Sequence, residues 1–279
     1  MNRHKLRRVP RYLFVIWLFL LMTAATATAV TRCPGCSFLV DSTIVECPRC
    51  LRLLGWPFVP QRARRAKVVV RTGADAFIRH QHARNRAWRD DRNAGGDNSG
   101  EIGVWGGPTT LRYLIKFDIE RAFALAGVPL QDFKVKRVFL KITSIANDHN
   151  IDVPVVIHPL TRPFLEGKAV FHNRSKDDEG CTWYYSAPML PWHSEGGDFN
   201  RVVVCKGIIY GNGRTSLLDI TEIVRLRLQE FEKSGKWQDA GMIIMADPQK
   251  AVKSGFVTIH SFESRANDQN VYSPELYFE

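Results

Sequence analysis

Seven separated segments that read like the successive strands of a β-sandwich constrain this chain to a strand-rich fold. They are ADAFIR (74–79), TLRYLIKFDI (110–119), KVKRVFLKIT (134–143), VPVVIHPL (153–160), SLLDITEIVRLRL (216–228), GMIIMA (241–246) and FVTIHSFES (256–264). Leu111, Tyr113, Ile115 and Phe117 recur at every second position, as do Val138, Leu140 and Ile142. That is the pattern of strands with one buried face. There is no βαβ alternation, so the expected fold class is all-β, a jelly-roll-like β-sandwich. One short helix is expected within 217–228, where Leu218, Ile223, Leu226 and Leu228 fall near helical spacing. The stretches 80–107 and 161–199 read as long surface loops.

Residues 1–29 read as an export signal. A basic start (Arg3, Lys5, Arg7, Arg8, Arg11) precedes the apolar run Tyr12 to Met22, and Ala27-Thr28-Ala29 fits the small-x-small cleavage rule. An uncleaved anchor over 12–30 is the competing reading, because that stretch could just span a bilayer. Either way the basic flank places the rest outside the cytoplasm: secreted, periplasmic or at the cell surface. Without those five charges, about +6 of the formal +11 remains, which argues against nucleic acid as a partner. An acidic polymer stays open. The membrane is a partner only through an uncleaved leader.

Cys33-Pro34-Gly35-Cys36 and Cys47-Pro48-Arg49-Cys50 form two C-x₂-C turns ten residues apart. Four thiolates so spaced suit one tetrahedral, structural Zn²⁺, and 31–55 reads as a zinc-ribbon-like module with a hairpin expected in 37–46. Two disulfides are the alternative in an oxidising compartment. A basic linker, 56–71, follows, and 72–279 makes up the sandwich. Cys181 and Cys205 are the remaining cysteines; an extracellular disulfide between them and two buried thiols are both open.

The strand phrases, taken in order, resemble the DNRLRE family, best known for carbohydrate-binding modules of extracellular bacterial proteins. The resemblance covers roughly 72–279. It rests on ADAFIR, LIKFDI, VKRVFLKI, VIHPLTRPFLEG, GCTWYYSAP…PWHSEGGDF, LLDITEIVRLRL, GMIIMA and the closing HSFESRANDQNVYSPELYFE. It departs at Phe164, where Trp is more usual, and at Ala266, where an acid is common. The resemblance implies a domain that holds a polysaccharide and does not transform it.

Sugar recognition needs flat aromatic faces and planar polar groups. Trp183, Tyr184, Tyr185 and Trp192, with His193, Glu195 and Asp198, form the densest such mixture; Arg265 is a candidate partner for Asp198 or for an acidic sugar. The same tryptophans also suit hydrophobic plugs under long loops. Asp90, Asp91, Asp97 and Glu101 offer oxygens to Ca²⁺ without EF-hand spacing. His80 and His82 would share a strand face as a weak metal pair. The chain has no H-E-x-x-H, G-x-S-x-G or phosphate-binding glycine loop. Glycoside hydrolysis by Glu166 with Asp198 or Glu195 is the remaining enzyme reading. A cell-surface scaffold without a sugar ligand is the other non-enzyme reading.

Overall fold

The computed structural model describes residues 30–32, 39–41, 68–71, 73–81, 92–106, 109–130, 133–147, 149–170, 180–250, 254–266 and 272–279. It divides into two units, 1–60 and 61–279. In the first, β1 (Val30–Arg32) pairs antiparallel with β2 (Leu39–Asp41), Arg32 opposite Leu39. The chain joining them carries Cys33 and Cys36, so this hairpin flanks the first C-x₂-C turn and does not link the two turns. The leader and Cys33, Cys36, Cys47 and Cys50 lie outside the described residues.

The second unit is mostly β. Its strands are β3 (Val68–Val70), β4 (Gly73–His80), β5 (Ser99–Trp105), β6 (Thr109–Phe117), β7 (Val138–Thr143), β8 (Val153–Pro159), β9 (Tyr185–Ala187), β10 (Leu190–Pro191), β11 (Cys205–Ile209), β12 (Thr215–Asp219), β13 (Met242–Ala246), β14 (Gly255–His260) and β15 (Glu275–Phe278). Helix α1 spans Ile119–Leu125 and α2 spans Thr221–Ser234. The larger sheet runs β11-β8-β13-β6-β5-β14, with β4 also on β6; the smaller runs β12-β7-β15-β3. All these pairings are antiparallel. The strand Val68–Val70 therefore lies inside the segment read as linker. Among the described residues no helix is long and apolar enough to cross a membrane.

Side-chain alternation sorts the sheet faces. Tyr113, Ile115 and Phe117 of β6, with Ile244 of β13, point into a core shared with Val138, Leu140, Leu218, Leu276 and Phe278 of the smaller sheet. Leu114 and Ile243 point the other way, into a second cluster with Ile78, Leu160, Trp183 and Trp192. The centre of the larger sheet is thus covered on both faces, which is why Tyr113, Leu114 and Ile115 of β6 are buried in succession.

Three local readings need correction. The polar stretch 80–107 contains a full strand, β5, in which Gly100 and Gly103 stand where apolar side chains would normally signal burial. A Cβ on Gly100 would lie 2.4 Å from the Tyr113 ring, so only glycine lets the two backbones approach. A second helix, α1, follows β6 because the Asp118 carboxylate caps it by accepting from Arg121 N–H. The expected helix begins later and runs longer: Ser216 and Leu218 are buried in β12, and Gly235 ends α2 in the left-handed conformation (φ 66°).

Glu275 of β15 sits between the sheet and the solvent with its side chain 4% exposed, receiving Arg71 Nε, Lys141 Nζ (3.0 Å) and the Tyr277 hydroxyl. Burial opposes its ionisation, but these donors outweigh it and hold the carboxyl below its usual range. Its stabilisation is therefore present above the ordinary carboxylate pKa and is lost as pH falls through the lower folded value. Glu275→Gln should cost about 1–3 kcal/mol at neutral pH. The difference from wild type should shrink in urea titrations as pH falls through the lowered folded pKa of Glu275.

Candidate functional site

Much of the predicted aromatic platform lies inside the fold. Trp183 (5% exposed) and Trp192 (6% exposed) are plugs in the outer cluster. Trp192 donates its indole N–H to Thr182 O at 3.0 Å. The His80 ring stacks on Trp183 at 4.9 Å, and the Arg112 guanidinium lies over its ring at 4.6 Å. Tyr184 is half-buried against the same cluster, and only Tyr185 is exposed. The tryptophan faces that a sugar would need are occupied by protein.

The polar members do come together. Asp198 accepts from the backbone N–H of Ser194 (2.8 Å) and His193 (3.0 Å) and meets His193 Nδ1 at 2.9 Å. Burial raises its pKa, yet these donors prevail and keep the carboxyl below its ordinary value. Its cationic neighbour is Arg162, with Nε at 3.5 Å. Arg265 belongs to the 3₁₀ turn Glu263–Ala266, and its side chain lies outside the described residues. His193 and Asp198, with Thr161 and Arg201, line a shallow pocket of about 200 Å³.

A larger cleft of about 510 Å³ opens where β6 runs into α1. Trp237 walls it, and Lys116, Glu120, Arg121 and Asp239 bring charged groups to it; Gly73 and Ala74 of β4 complete one side. Trp237 is half-buried, resting edge-on against Phe231 at 6.3 Å. Asp239 accepts from Gly241 N–H (2.8 Å) and lies 3.7 Å from Arg227 Nε; burial nonetheless raises its pKa. The sequence reading missed this site. Its one local signal was a tryptophan in the polar turn GKWQDAG, between the helix end and a buried strand.

A third cluster gathers Asp75, Glu166 and Glu263, one oxygen from each lying within 4.8 Å of the others. Asp75 accepts from Phe262 N–H (2.7 Å), and Glu166 accepts from Asp75 N–H (2.7 Å). Burial, then the Glu263 charge, pushes Asp75 well up; burial lifts Glu166 to about 7 and also raises Glu263. Asn93 fixes the segment that carries Glu166. Its amide donates to Glu166 O and Cys181 O and accepts from Gly95 and Ala169 N–H.

The remaining sequence candidates are dispersed. Cys181 and Cys205 are free thiols in different clusters, Cys181 on the outer face of the larger sheet and Cys205 in the core between the sheets. The structure therefore does not join them in the expected disulfide. Burial pushes the Cys205 thiol up to about 11 and Cys181 higher still. Of the acids that could offer oxygens to Ca²⁺, Asp90 and Asp91 lie outside the described residues, Asp97 is buried and Glu101 is half-buried in β5. His82 is also outside them. Glu166 groups with Asp75 and Glu263, not with the residues expected to share its chemistry. No protein-family model matches the chain, and no curated protein shows significant similarity to it.

Proposed function

We propose that this is an exported, non-catalytic glycan-binding protein whose sandwich is a DNRLRE-like jelly roll and whose ligand lies in the cleft beside Trp237. The observation that carries this reading is the cleft itself. Its volume, about 510 Å³, falls within the range of ligand sites. It combines an aromatic wall with planar charged groups, the pairing that sugar rings and hydroxyls require. Lys116 and Arg121 leave room for an anionic polymer, while Glu120 and Asp239 suit neutral hydroxyls. The leader supports export, and Cys33, Cys36, Cys47 and Cys50 are assigned one structural Zn²⁺ from their spacing.

A polysaccharide panel of neutral and anionic polymers tests the ligand. The purified chain should be retained by at least one polymer, and Trp237→Ala should weaken retention about tenfold or more, the equivalent of about 1.4 kcal/mol. No retention on any polymer would remove the ligand and leave the fold untouched. A release assay for reducing or unsaturated ends separates binder from polysaccharide-degrading enzyme.

A surface-scaffold role is the second reading, supported by the apolar tip between β9 and β10. Met189 is 89% exposed with positive φ (62°), and Leu190 is 58% exposed. Exposed apolar side chains of this kind suit a protein contact.

A further inference from the structure

We propose that Asp75, Glu166, Glu263 and the Tyr113 hydroxyl form a binding site for one divalent cation, with Ca²⁺ the ion that fits. The carboxylate oxygens all lie within 4.8 Å of one another. Donors so close can share one ion, and Ca²⁺ tolerates the irregular, partly water-filled shell that this set offers, whereas Mg²⁺ demands a near-ideal octahedron. The donors are all hard oxygens, with no thiolate or imidazole to favour zinc.

An independent feature points to the same ligand. Tyr113 is fully buried, and its hydroxyl has no hydrogen-bond partner. It faces the cluster, where the charges of Asp75, Glu263 and Glu166 all act on it, but it stops short of hydrogen-bond geometry with Asp75. Glu263 Oε2 is likewise buried and unpartnered. Leaving such atoms buried and unsatisfied opposes folding, most strongly for a charged one. A cation among them removes that cost and neutralises three converging acids. Glu166 and Glu263 are only half-buried, so water can complete a shell of six to eight oxygens.

The three acids come from β4, from the segment after β8 and from the turn after β14. One ion would therefore tie together points that are remote in sequence, next to the Gly73–Ala74 wall of the cleft. The proposal stands without the glycan reading, and its test contains no glycan.

Calorimetric titration of CaCl₂ into the chelator-treated, dialysed full chain should show one Ca²⁺ per chain. The expected Kd is roughly 10⁻⁵–10⁻³ M, with Mg²⁺ at least about tenfold weaker. Thiolates do not compete for so hard an ion. Glu166→Gln and Glu263→Gln should each weaken uptake about tenfold or more, while Glu222→Gln, on the exposed face of α2, should not. The wild-type titration decides even if a variant fails to fold. No uptake by the folded chain at about 10 mM Ca²⁺ would overturn the site, as would wild-type affinity in both cluster variants. Gln variants more stable than wild type, with no Ca²⁺ uptake by any form, would show that protons hold the cluster together instead.

Discussion

Asn93→Asp should destabilise the second unit by about 3–5 kcal/mol, the range for leaving an uncompensated charge buried. Asn93 is 2% exposed, and its amide satisfies four groups at once: two carbonyls through Nδ2 and two N–H groups through Oδ1. An aspartate would aim an oxygen at the Glu166 and Cys181 carbonyls in a site that water cannot reach. Asn93→Ala should cost somewhat less, since it leaves the four partners unsatisfied without adding repulsion. Urea denaturation at neutral pH checks both. A loss below about 1 kcal/mol for Asn93→Asp would mean that the segments 92–97, 164–170 and 180–182 hold together without the clamp.

Gly100→Ala should cost about 3 kcal/mol through overpacking. The added methyl would sit 2.4 Å from Tyr113 Cε2 and 2.5 Å from Cδ2. Tyr113 is fully buried in the core between the sheets, so its ring has nowhere to swing. Truncating the ring should relieve the clash. In the cycle with Tyr113→Leu, the double variant should be more stable than the sum of the single losses predicts. Strict additivity would show that the strain lies elsewhere.

These two positions show where the sequence was legible. The segment around Leu140 alternates because one face lies in the core, that around Tyr113 alternates outside its buried centre, and those around Ile157 and Ile244 are short apolar runs covered on both faces; all became strands. β5 was hidden because glycines at 100 and 103 do the packing that an aliphatic residue would otherwise announce; a Cβ on Gly103 would lie 2.4 Å from Gly255 O. The Trp183–Asp198 segment was readable as an aromatic and polar cluster, but composition cannot say which side of a ring faces solvent. The outer apolar face of the larger sheet, with Leu114 and Ile243, claims both tryptophans.

The carboxylate cluster had no local signature. Asp75 and Glu166 are 91 residues apart, and only the convergence of β4, the post-β8 segment and the terminal 3₁₀ turn brings them together. The cysteine pair illustrates the converse. Compartment and even number favoured a bond between Cys181 and Cys205, whereas the sheet between them keeps the two thiols in separate clusters. Trp237 was overlooked because it stands alone in its turn, without the aromatic neighbours that drew attention to residues 183–192.

The glycan-binding account is tested most directly by following the indole N–H resonances of the seven tryptophans while neutral and anionic polysaccharides are titrated into the folded chain. The account predicts that at least one polymer shifts the Trp237 resonance in a saturable manner. Trp183 and Trp192, closed off within the outer cluster, should stay where they are. A Trp237 resonance that no polymer moves would contradict the account.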